Sequence, residues 1–137
     1  MSYYFSTRIE CTFDEAVDRT RQALLSEGFG VISEIDISKT LREKIGVEFR
    51  QYRILGACNP TLAYEALQIE DKVGTMLPCN VVVQSVQEGV EVAAIDPVAS
   101  MRAIANPELT EKAAAVAAML KRVIEKVGAP ARAEQTA

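Results

Sequence analysis

Histidine does not occur anywhere in the 137 residues. Its absence removes the usual general base at neutral pH and the commonest metal ligand, so a Ser-His-Asp triad, a zincin helix and His-ligated haem are excluded. No apolar stretch approaches the roughly 20 residues that a membrane-spanning helix requires, so no membrane partner is expected. The opening Met1-Ser2-Tyr3-Tyr4-Phe5 has no positive region followed by an apolar block, and no signal peptide is expected from it. A basic excess is missing too: 15 Lys and Arg face 19 Asp and Glu, for a net charge of −4. Such a chain lacks the electrostatic footprint for phosphate backbones, which argues against a nucleic-acid partner. Cysteine is sparse and odd in number. Cys11, Cys58 and Cys79 form neither a disulfide-scaffold spacing nor a Cys-x-x-Cys motif, which favours a reducing compartment and a cytoplasmic location.

What remains is the balance of an ordinary globular protein, with 49% apolar and 25% charged residues and a length suited to one modest core. No internal repeat or interdomain linker interrupts the chain. Residues 1–128 are expected to form one domain, and residues 129–137 have the small, polar composition of a flexible C-terminal tail.

Alternation from Tyr3 to Cys11 predicts a half-buried strand. Thr12 and Glu15 form a capping-box pattern, Phe13, Ala16, Val17, Thr20 and Leu24 follow at helical spacing, and Gly28 stops the helix. A second strand is predicted over Phe29 to Ile37, then a short helix capped by Ser38, carrying Leu41 and Ile45 and ended by Gly46. A third strand is expected from about Phe49 to Ala57. Asn59-Pro60 then starts a helix, because Asn accepts from the free amides and Pro in the first turn loses no needed bond. After a loop holding Gly74, Met76 and Pro78, Cys79–Val86 and Val90–Ile95 read as a hairpin turning at Gln87-Glu88-Gly89, with Asp96-Pro97 breaking the second strand. The longest helix runs from Pro107 to Val127, its stripe of Leu109, Ala113, Val116, Leu120, Val123 and Val127 packing on the sheet. The expected fold is therefore α+β, a two-layer sandwich with an antiparallel or mixed sheet of about five strands and helices on one face. Its element order is β-α-β-(short α)-β-α-β-β-α.

Three segments carry a resemblance: Gly56-Ala57-Cys58-Asn59-Pro60, Leu77-Pro78-Cys79-Asn80 and Ala94-Ile95-Asp96-Pro97. With these the chain resembles the domain-of-unknown-function family numbered 302, from the first strand to about Gly128. The resemblance implies a small two-layer α+β fold and a dimer. It brings no established activity and no catalytic residues.

Cys58 and Cys79 are the one constellation with candidate chemistry. Each is followed by an asparagine, Asn59 or Asn80, and together they flank one helix. Cys58 lies just outside a helix N-terminus, where the dipole favours thiolate. Met76 adds a thioether that, with Cys58 and Cys79, would suit a soft metal such as copper(I). The two thiols could instead cycle between dithiol and disulfide. Cysteine is also among the most buried residue types, so both fit equally as small apolar side chains, and Cys11 on its strand fits that role. Gly28-Phe29-Gly30 ends a helix rather than starting one and reads as a cap and turn, not a phosphate loop. Asp36, Glu48, Arg53 and Asp96 could line a polar cleft with a carboxylate as general base, although single charges in strands more often meet water.

Three functional readings follow. The first is a homodimeric module binding a small-molecule ligand in a mostly apolar pocket near Cys58, Asn59, Cys79 and Asn80. The second is a thiol redox or soft-metal protein using Cys58 and Cys79 with Met76. The third is a hydrolase or isomerase using a carboxylate such as Asp36 or Asp96. A catalyst is not the preferred reading, and no cofactor can be named.

Overall fold

The computed structural model describes residues 2–129. The expected tail falls, from residue 130 onward, outside the described residues. Five strands, β1 (Tyr4–Ile9), β2 (Gly30–Asp36), β3 (Tyr52–Cys58), β4 (Cys79–Val86) and β5 (Gly89–Ile95), form one sheet in the order β1-β5-β4-β3-β2. Every pairing is antiparallel, so of the two sheet types expected it is the antiparallel one.

The helices are α1 (Phe13–Ser26), α2 (Ile37–Ile45), α3 (Pro60–Ile69), the four-residue α4 (Pro97–Ser100) and α5 (Pro107–Gly128), with a 3-10 turn at Asp71–Met76. Local chemistry sets most of their limits. Thr12 and Glu15 form the reciprocal capping box at the start of α1. At its far end Gly28 takes a φ of 89°, and the amides of Gly28 and Phe29 return to the carbonyls of Leu25 and Leu24. This paired closure satisfies two of the helix's last carbonyls and needs the left-handed conformation that glycine adopts freely.

Strand ends fall within one or two residues of expectation, and two boundaries differ in kind or by more. Asp36, not Ser38, caps α2: its Oδ1 accepts from the Lys39 amide at 3.0 Å, while the Ser38 hydroxyl donates to the same oxygen. A carboxylate competes better than a hydroxyl for the positive end of the helix. The third strand begins at Tyr52 rather than Phe49, and residues 46–51 form an exposed irregular arm.

α1 and α5 lie on one face of the sheet. Leu24, Leu120, Val123 and Val127 pack there against Val81, Val83, Val92 and Ala94 in the main core. A second, smaller apolar cluster joins Ala66 of α3, Val73 of the 3-10 turn and Leu109 of α5, with Leu77 and Met101 beside it. The seam between the two clusters positions the site described next.

Candidate functional site

The ladder sets Ala57 opposite Cys79, so the C-terminal end of β3 and the start of β4 lie side by side. β3 stops at Cys58, and Asn59 turns the chain into α3 by accepting from the Leu62 amide at 3.1 Å, with Pro60 in the first turn. Close approach is built into this corner. A Cβ on Gly56 would sit 2.7 Å from Cγ of Pro78, so only glycine lets β3 pass under that ring.

Above these strand ends, where the two apolar clusters fail to merge, lies an open cleft of about 360 Å³. Its floor is Phe29, Ala57, Cys58 and Cys79. Leu62, Ala63, Ala66 and Leu67 of α3 form one wall, and Leu109, Ala113 and Val116 of α5 form the other. Leu67 and Ile32 line it while remaining 41% and 65% exposed. Polar groups are few. Asn59 spends its side chain on the α3 cap, and Lys112 donates from Nζ to Oε1 of Glu65 at 2.8 Å, bridging α5 to α3. The Glu65 carboxylate raises the pKa of Lys112 and keeps it cationic. An apolar interior with one charge and one amide at its margin suits a largely apolar guest.

The residues expected from sequence divide three ways. Cys58, Asn59 and Cys79 meet in the cleft. Asn80, next in the chain to Cys79, is exposed and joins Tyr4, Tyr52 and Gln84 in a shallow hollow apart from the cleft, because consecutive strand residues point to opposite faces. Met76 lines a separate hollow with Lys72, Thr75 and Ile104. Among the described residues there is no group of three or more His, Cys, Asp or Glu placed to hold a metal.

All three cysteines are free thiols. Burial, followed by the neighbouring Cys58, pushes the Cys79 thiol up to about 11, so it is protonated at neutral pH. Burial also raises the Cys11 thiol. The rise at Cys79 from 9.0 to about 11 cuts its thiolate population at pH 8 about a hundredfold. Iodoacetamide at that pH is therefore expected to leave Cys79 of the folded protein unmodified and to label it in urea, with labelling rising as pH approaches 11. Peptide-resolved mass spectrometry checks this; rapid labelling of the folded form would contradict the burial.

None of Asp36, Glu48, Arg53 and Asp96 lines the cleft. Arg53 pairs with Glu34 at 3.0 Å and Asp36 at 3.6 Å, and its guanidinium lies over the Phe13 ring. The Lys39 amide, the Ser38 hydroxyl and Arg53 hold the Asp36 carboxyl below its usual range, opposite to the raised value a general base needs. Asp96 caps α4 by accepting from the Val98 amide at 3.0 Å, and Glu48 is exposed in the arm.

The family model for the domain of unknown function DUF302 matches residues 5–127. The chain belongs to the DUF302 family. Its structure is similar to the crystal structure of an uncharacterised conserved DUF302 protein from Bacillus stearothermophilus, with 26% sequence identity and a TM-score of 0.87. That similarity covers 93% of this chain and 99% of the other. No curated protein matches the sequence. Membership of DUF302 carries the fold and leaves the chemistry of the cleft to be argued from its residues. No helix among the described residues of this DUF302 chain is long and apolar enough to cross a membrane.

Sequence reasoning missed most of the cleft: Phe29, Ile32, Ala63, Leu67, Met101 and Val116 were not among the candidates. One signal was present. α3 reads Pro-Thr-Leu-Ala-Tyr-Glu-Ala-Leu-Gln-Ile with a single charged residue, so its apolar surface exceeds the one stripe needed for packing.

Proposed function

We propose that this DUF302 protein is a homodimeric module that binds a small, mostly apolar molecule in the cleft between α3 and α5. One observation carries the reading: the chain leaves an open apolar cavity of about 360 Å³ beside its core, where close packing would otherwise be the rule. Its size and its few polar margins match ordinary small-molecule sites. Leu109 and Cys79 are held from behind by the two apolar clusters, so the shape exists before any guest arrives. Dimerisation finds support in the exposed apolar side chains Ile32, Ile35, Ile45, Val47 and Phe49, which cluster in one part of the chain.

A thiol-exchange or soft-metal role finds less support. A protonated, buried Cys79 is a poor nucleophile, and Met76 opens onto a different hollow.

The test is titration of the full chain with 1-anilinonaphthalene-8-sulfonate, together with sedimentation equilibrium. Saturable binding of one probe per chain, with blue-shifted emission and a mass twice 15.0 kDa, is expected. Absence of saturable binding would remove the ligand role, and a monomeric mass at tens of micromolar would remove the dimer.

A further inference from the structure

From Gly30 to Ile54, a continuous stretch holding β2, α2 and the arm 46–51, no residue is buried. This stretch contains ten large apolar side chains, among them Val31, Ile35, Leu41, Ile45 and Phe49. Ile37, Leu41 and Ile45 recur every four residues on α2 and so share one side of it, yet α2 buries none of its residues. Ile45 is 66% exposed and Ile35 46%. β2 is an edge strand, and edges left open usually carry Lys or Pro to prevent pairing. β2 has neither, and its central acid Glu34 is already engaged by Arg21 and Arg53. A surface of this length, about 22 residues from Gly30 to Gln51, matches the roughly 20–30 residues that each partner contributes to a stable interface.

We infer that a second copy of the chain covers this surface by pairing β2 with β2 about a two-fold axis, and that its α2 closes the cleft. This rests on the dimeric binding reading above and adds where the copies meet and what the meeting does. Antiparallel pairing about the strand centre sets the partner's Asp36 beside Gly30. The partner's α2, which starts at the next residue, is thereby delivered to the end of β2 that carries Phe29 and Ile32, both of which line the cleft. Nine residues of helix reach about 13 Å, enough to lie along the mouth. Charge agrees with this seating. α2 carries Lys39, Arg42 and Lys44 against Glu43, whereas α3 and the start of α5 present Glu65, Glu108 and Glu111 against Lys112. The cleft in one chain is open because its third wall belongs to the other.

Cross-linking tests the contact directly. Ile45→Cys adds a thiol to the exposed end of α2, while native Cys58 stands half-buried on the cleft floor. Within one chain Cys58 pairs with Gly30 at one end of β2, whereas Ile45 ends the helix that leaves from Asp36 at the other. A short bismaleimide applied to a mixture of 15N-labelled and unlabelled chains of this variant is expected to join the added thiol of one chain to Cys58 of the other. A dimer without that link would overturn the inference and leave the dimeric reading standing; a monomer would overturn both. A second variant, Ile35→Lys with Ile45→Asp, changes only exposed side chains. It is expected to sediment as a folded monomer and to bind 1-anilinonaphthalene-8-sulfonate about tenfold more weakly than the native chain. Retention of the dimer, or unchanged probe affinity in the monomer, would overturn the closing role of α2.

Discussion

Replacing Ala63 by Phe is expected to abolish probe binding while leaving the fold intact. Ala63 faces the cleft from α3, is half-buried, and belongs to neither apolar cluster. A benzyl group there has open space to enter, so it fills the cavity that a guest would use rather than forcing the core apart. The expected loss in affinity for 1-anilinonaphthalene-8-sulfonate is at least about a hundredfold, equivalent to about 2.7 kcal/mol. Circular dichroism and the urea midpoint should stay close to those of the native chain, since burying the ring offsets any local strain. Native affinity in this variant would show that the probe binds elsewhere and would withdraw the cleft as the site.

The largest stability effect is expected at Leu120. Its side chain is fully buried on α5, between the sheet and α1. Leu120→Ala leaves a void that neighbours on three elements cannot fill without moving backbone, so a loss of about 2–5 kcal/mol is expected. Against a total of about 5–15 kcal/mol for a domain of this kind, that is a large share. Leu25→Ala is the control: Leu25 also sits on a helix, α1, but is 62% exposed, and its truncation should stay within about 0.5 kcal/mol. Urea unfolding reads both. A loss below about 1 kcal/mol at Leu120 would mean that α5 is not anchored as described.

Much of the fold was legible because its signals act over a few residues. Thr12 with Glu15, Asn59 with Pro60, and Gly46 each satisfy or release backbone groups within one helical turn, and each stands where expected. The apolar stripe of α5 was equally plain, since a 22-residue helix repeats its pattern often enough to be read. Asp36 was harder. It is both the last residue of β2 and the cap of α2, and a strand residue in an alternating pattern gives no sign of the second role. Phe49 misled for a related reason: an apolar aromatic before Tyr52 continues a strand pattern, but no neighbouring strand pairs with it.

The candidate site was legible only in part. Cys58, Asn59 and Cys79 were visible as unusual residue types beside turn signals, and the strand pairing brings them to one cleft. Asn80 and Met76 carried the same kind of signal and lie elsewhere, one on the far side of the pleat and one at the end of the 3-10 turn, in a hollow of its own. Nothing in residue identity distinguishes those outcomes.

The order of residues settled most of the element types and helix caps and the exclusion of histidine chemistry, because each depends on atoms close together along the chain. The cavity could not be settled that way. It exists because Ala66, Val73 and Leu109 gather into a cluster of their own instead of joining the main core, leaving unfilled volume between surfaces that are each well packed. Empty space belongs to no residue and follows no period, so it emerges only when distant elements take their places.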